Sequence, residues 1–217
     1  KDKEKIMYEN EKKDVLETAL KLIECDLIKL SAGNVSVRTG DHVVVTPSGK
    51  DYKELTPEDI VVIDLKGNKI EGKNMPSLDS IGLLYIYNNM PEVKAAIHTH
   101  QPYSTAISLI ADKLPGILTT LINAVGSQVV YVTPFAPAGR IETGIVTVEN
   151  LKGSRAVILR QHGVMTVGAD LTEALYAAVY LEEASKAYLA AKPLGEPRVL
   201  TDEQAREAID IFKDYHK

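Results

Sequence analysis

The sequence has no tryptophan and a single cysteine, Cys25, among its 217 residues. One thiol excludes an internal disulfide framework and a thiolate zinc site, and it fits a reducing compartment. Positive charge is also in short supply. Twenty-five Lys and Arg against 30 Asp and Glu give a net charge of −5, which argues against a broad nucleic-acid or anionic-membrane surface. A small anionic ligand would need local donors instead. No apolar run approaches the ~20 residues of a membrane span, and Lys1 to Lys13 is too charged for a secretory leader. What is there is 45% hydrophobic and 25% charged, enough for a folded core. The expectation is a cytoplasmic globular protein, one domain over residues 1–217, with no nucleic-acid or membrane partner.

Periodicity marks most of the chain. Val15, Leu16, Ala19, Leu20, Ile23 and Leu27 recur at helical spacing between about Glu11 and Leu30. Val35 to Arg38 and His42 to Thr46 read as a hairpin around Thr39-Gly-Asp41, and Ile60 to Asp64 with Asn68 to Glu71 as a second one. Thr56 to Asp59 reads as a helical turn between them. A helix from Asp79 to Met90 ends at Pro91, a buried strand spans Val93 to His100, and another helix spans Tyr103 to Asp112. Gln128 to Val132 and Ala156 to Arg160 read as strands. Capping boxes at Asp170 and Thr201 open two final helices, one reaching about Ala191 and one over about 201–216. Strands and helices mixed along the whole length predict an α/β fold.

Three of the five histidines stand where a metal would want them. His98 and His100 are two apart at the end of an apolar strand, so both project from one face. His162 follows another strand, where a loop can deliver a third imidazole, and Asp79 starts the helix that feeds into the His98 strand. Three His and one carboxylate suit Zn²⁺ or a similar divalent ion. Spacing alone leaves an incidental strand pair and an ordinary loop histidine equally open. Gly33-Asn34, Ser48-Gly49 and Ser77 form polar loops whose N–H and hydroxyl groups can hold an anion without Lys or Arg. The same residue types are also ordinary turn formers. His42 and His216 read as surface residues, and Tyr176, Tyr180 and Tyr188 as packing on their helix.

Taken in order, Ser31-Ala-Gly-Asn-Val-Ser36, Thr46-Pro-Ser-Gly49, Pro76-Ser-Leu-Asp79, Ala96-Ile-His-Thr-His100 and Gln161-His-Gly163 resemble the class II aldolase/epimerase family. Members include L-fuculose-1-phosphate aldolase and L-ribulose-5-phosphate 4-epimerase, and the resemblance runs from about residue 10 to residue 190. It implies a three-layer α/β/α domain around a largely antiparallel central sheet. It also implies zinc, or another divalent metal, held by His98, His100, His162 and Asp79. The phosphate pocket would be Gly33, Asn34, Ser48, Gly49 and Ser77. The implied assembly is a homotetramer with active sites between subunits, reached by a late tyrosine for which Tyr215 is the candidate.

The implied reaction is cleavage of a ketose 1-phosphate to dihydroxyacetone phosphate and an aldehyde through a metal-stabilised enediolate, with Asp79 and Tyr215 moving protons. Three departures qualify it. Leu78 stands where the aldolases carry a serine, Asp79 matches the epimerase pattern rather than the aldolase Glu, and Thr119 or Thr120 falls where aldolases place an aromatic acid. The epimerase is therefore the alternative activity, although Asn123 stands where the epimerase has an acid, and a non-enzymatic adducin-like scaffold is the alternative class. The intact histidines and Asp79 argue against the scaffold.

Overall fold

A computed structural model describes residues 8–215, with side chains through residue 210. The first helix, α1 (Glu9–Glu24), buries Val15, Leu16, Ala19 and Leu22 along one stripe. It ends at Glu24, before the apolar spacing does at Leu27, because Asp26 takes a left-handed backbone angle (φ 62°) that no helix accommodates, as does Leu30 (φ 57°) further on. Then come β1 (Gly33–Thr39), β2 (His42–Val45), β3 (Val61–Asp64) and β4 (Lys69–Glu71), with a short 3-10 turn over Pro57–Asp59 where a helical turn is expected. Next are α2 (Ser80–Asn89), β5 (Ala95–Thr99), α3 (Pro102–Ile110), β6 (Lys113–Pro115), α4 (Thr119–Val125) and β7 (Val129–Tyr131). The chain continues through α5 (Ile141–Leu151), β8 (Ala156–Leu159), β9 (Gly163–Gly168), α6 (Leu171–Ala191) and α7 (Asp202–Tyr215).

Seven strands form one sheet in the order β4-β3-β2-β1-β5-β9-β8, and every neighbouring pair is antiparallel. β6 and β7 make a separate antiparallel pair. Alternation along the strands divides the core between the two faces. Val35, Val44, Val62 and Ile97 pack beneath α1 and α6, whereas Val43, Val45, Ile63, Ala96 and Met165 pack beneath α2 and α5. Helices on both sides of a mainly antiparallel sheet are the expected layering. No helix among the described residues is long and apolar enough to cross a membrane.

β6, α4, α5 and β9 fall outside what periodicity marks. The omission of β9 matters most, because it pairs with β5 and so borders the histidine strand. All six of its residues are buried, so it has no solvent face and no alternation to read. Only the second capping box closes: Asp170 caps its helix by accepting from Glu173 N–H at 2.8 Å, but the Glu173 carboxylate turns to Ala169 N–H at 2.9 Å, whereas Thr201 and Gln204 bond reciprocally at 2.9 and 3.2 Å.

Candidate active site

β5 lies between β1 and β9, with His98 opposite Asn34 on one side and Met165 on the other. Ala96 faces the α2–α5 layer, so His98 and His100 project toward the N-terminus of α2, where Asp79 is the residue preceding the first helical turn. The flanking strands can approach this closely only because two neighbours lack a side chain. A Cβ on Gly33 would lie 2.5 Å from the His98 carbonyl oxygen, and one on Gly163 would lie 2.2 Å from that of Thr99.

His162 arrives from the β8–β9 turn, whose N–H closes on Leu159 O at 3.1 Å. The preceding Gln161 sits at φ 55°, a strained angle for a side-chain-bearing residue. Ser108 Oγ accepts its N–H at 2.9 Å and holds it there.

The three imidazoles meet. His98 Nε2 is 3.0 Å from His100 Nε2, the ring of His162 is 4.7 Å from that of His98 and 5.0 Å from that of His100, and their ligating atoms all lie within 4.8 Å. His98 is buried (1% exposed), and its Nδ1 meets Val164 O at 2.8 Å. That contact requires the proton on Nδ1 and leaves the Nε2 lone pair for a ligand. The buried Nδ1 of His162 has no hydrogen-bond partner, an unpaired polar atom inside a cluster of possible metal ligands.

Burial and the neighbouring imidazoles push His98 down to about 4 against the pull of Asp79. Burial likewise lowers His100 and His162. The cluster is therefore neutral near pH 7, the form that binds a cation. Donors bonded to one ion at tetrahedral angles stand roughly 3.3 Å apart, close to the spacing of the His98 and His100 nitrogens. These residues fit a divalent metal.

Asp79 completes the constellation. Its Oδ2 lies 4.0 Å from His98 Nε2 and accepts from Asn34 Nδ2 at 3.3 Å. Its Oδ1 accepts the backbone N–H of Gly139 at 2.9 Å, across sixty residues of sequence. Sequence reading misses Gly139, since a backbone donor leaves no residue-type signature. Tyr52, also unmarked in the sequence, donates its hydroxyl to Gly33 O at 2.6 Å, and burial pushes it up to about 12. It holds the β1 end rather than exchanging protons.

The loops expected to bind phosphate meet at one corner. Pro47 and Pro76 form a bridge, flanked by Ser48 N–H to Met75 O at 3.0 Å and Ser77 N–H to Thr46 O at 3.2 Å, while Thr46 bonds Val35. This brings Ser48, Gly49 and Ser77 beside Gly33 and Asn34. The N–H groups of Gly33, Ser48 and Ser77 are already engaged within the chain, and Asn34 Nδ2 is engaged with Asp79. An anion here would meet mainly the hydroxyls of Ser48 and Ser77 and the open backbone at Gly49. Thr119 and Thr120 are exposed in the first turn of α4, and Asn123 is in the same helix. Tyr215 ends α7 and its side chain lies outside the described residues.

The family model for the Class II Aldolase and Adducin N-terminal domain matches residues 13–189. The chain belongs to this family. It is 32% identical over 204 residues to an L-fuculose phosphate aldolase from Escherichia coli, covering 94% of each chain. It is 29% identical over 212 residues to a 5-deoxy-D-ribulose 1-phosphate aldolase from Bacillus thuringiensis, covering 97% of this chain and 99% of that one. Among solved structures, an L-fuculose 1-phosphate aldolase superposes with a TM-score of 0.87 at 32% identity, over 93% of this chain and 95% of that one. The family and these relatives make the chain an enzyme of the aldolase type, a lyase.

Proposed function

We propose that this chain is a zinc-dependent aldolase that cleaves a ketose 1-phosphate to dihydroxyacetone phosphate and an aldehyde. The observation that carries this reading is the Asp79 carboxylate, 4.0 Å from the lone-pair nitrogen of His98 in a cluster of three neutral imidazoles. His98, His100 and His162 would hold the ion, with Asp79 as a fourth ligand that substrate displaces. A divalent ion supplies Lewis acidity, polarising the ketone and offsetting the enediolate charge left when the carbon–carbon bond breaks. Neutral imidazoles leave that positive charge largely undamped.

Asp79 would take a proton from the carbon beside the ketone in condensation and return it in cleavage. Gly139 N–H restrains the Oδ1 side, so Oδ2 is the oxygen directed at the histidines. The hydroxyls of Ser48 and Ser77 and the backbone at Gly49 would hold the phosphate through neutral donors, with Gly33 and Asn34 lining the pocket, in keeping with the chain's acidic balance. Tyr215 would serve the aldehyde-side oxygen from a neighbouring subunit of a homotetramer, in the cytoplasm.

The sugar tail has two candidates, because the relatives are named for both a fuculose phosphate and a 5-deoxyribulose 1-phosphate. The test is incubation of the zinc-loaded protein with L-fuculose 1-phosphate, 5-deoxyribulose 1-phosphate and L-ribulose 5-phosphate, coupled to triose-phosphate detection. Triose phosphate should appear from one of the ketose 1-phosphates. Its absence from both, with isomerisation of the ribulose phosphate, would replace the aldolase reading by the epimerase one.

A further inference from the structure

The candidate chemistry leaves one buried ionisable group unused. Glu182, in the middle of α6, is 2% exposed. Its Oε1 accepts Tyr103 N–H at 2.9 Å, and its Oε2 accepts Ser104 N–H at 2.8 Å and Ser104 Oγ–H at 2.7 Å. Burying a carboxylate is costly unless it is fully hydrogen-bonded, and here it spans almost eighty residues to reach the first turn of α3. That helix has no side-chain cap of its own, so Glu182 supplies the acceptors its N-terminal N–H groups need.

The network continues toward the metal ligands. Ser104 Oγ gives its proton to Glu182 and is left to accept from Gln101 Nε2 at 3.1 Å. The fully buried Gln101 also donates to Ala178 O at 3.1 Å, and its Oε1 accepts from Thr99 Oγ1 at 2.6 Å. Every donor and acceptor along Thr99–Gln101–Ser104–Glu182 points one way, and its sense is set by the carboxylate, which can only accept. Thr99 and Gln101 are the two neighbours of His100.

His98 and His100 are held differently. Val164 O fixes the His98 ring directly. Among the described residues, His100 has no such partner, and its only hydrogen-bond-range contact is His98 itself. The direction of its ring therefore depends on where the backbone between Thr99 and Gln101 is held.

We propose that Glu182 is a positioning residue for His100, acting through Ser104 and Gln101 on the side of the strand away from the ligands. This rests on the reading of the histidine cluster as a metal site. Replacing Glu182 by Gln keeps the shape, but its NH₂ group must then face an N–H, whichever way the amide turns. Replacing Ser104 by Ala cuts the link to Gln101 and leaves both backbone bonds to Glu182 intact.

The experiment measures zinc affinity by competition with a chromogenic chelator, the visible spectrum of the Co²⁺-loaded protein, and the melting temperature of the metal-free protein. The variants are Glu182→Gln, Ser104→Ala and, as an equally core-disrupting control remote from the ligands, Val62→Ala. Glu182→Gln should weaken zinc binding about ten-fold or more and alter the cobalt bands. Ser104→Ala should move both in the same direction by less, and Val62→Ala should lower the melting temperature and move neither. Should Glu182→Gln fail to fold, Ser104→Ala decides by the same two readouts. Parental zinc affinity and an unchanged cobalt spectrum in the folded variants would reduce Glu182 to a helix cap and overturn the proposal. A parent chain that takes up neither ion would overturn the metal reading as well.

Discussion

The backbone N–H of Gly139 donates to Asp79 Oδ1 at 2.9 Å, so a loop sixty residues downstream holds the carboxylate that faces the histidines. Gly139 sits at φ 69°, and a Cβ there would lie 2.8 Å from Leu78 Cγ. A side chain there would have to adopt a positive φ and push the Leu78 side chain aside.

Asp79→Asn tests the division of labour in the cluster. Three imidazoles remain, so zinc content by plasma emission spectroscopy should stay near the parental level. Turnover should fall by about 10²–10⁴-fold, the usual worth of a positioned base. Parental activity in this variant would remove Asp79 as the base.

The histidines predict an acid limit on stability. Above pH ~6.5 His98 is neutral in the folded and the unfolded chain. Between that value and about 4, the unfolded chain binds a proton that the buried ring refuses, so stability falls as pH falls. The metal-free protein should lose on the order of 2–3 kcal/mol across this window in urea titrations. A His98→Asn variant should lose less, and equal slopes for the two proteins would show that His98 is not the group responsible.

Gly163→Ala tests the close approach beside the ligand strand. The added methyl meets the Thr99 carbonyl and lies 3.0 Å from His100 Cδ2. About 1–3 kcal/mol of stability should be lost, together with measurable zinc. Crystals or urea curves indistinguishable from the parent would mean the strands separate without strain.

Leu78 is 71% exposed, next to Ser77. Leu78→Ser would return a hydroxyl to the proposed phosphate corner. KM for the ketose phosphate should drop about ten-fold or more, the value of one hydrogen bond to a charged group, with little change in kcat. If inhibition by inorganic phosphate is the same in both proteins, residue 78 does not face the phosphate.

Much of this was legible in the residues. Alternation placed His98 and His100 on one face, and cap chemistry located both final helices. Asp79 was placed at the start of α2 by the helical pattern that follows it. What could not be read depends on contacts without a local signature. β9 is buried on both faces and shows no period. α1 stops where Asp26 turns left-handed, although the apolar spacing continues to Leu27. Gly139 acts through its backbone. Glu182 looks like any charged position on a long helix until the fold brings the start of α3 against it.

The crowding of β5 between Gly33 and Gly163 has a consequence for how such a molecule can diversify. At Gly33 and Gly163 three main chains fit together with no room for a single added carbon, so a side chain at either position strains the strands beside the histidines. The bridged loops at Pro47 and Pro76 and the segment ending at Gly139 lie outside that packing, with Ser48, Leu78 and Phe135 open to solvent. Side chains in those loops can change while the histidine strand stays as it is.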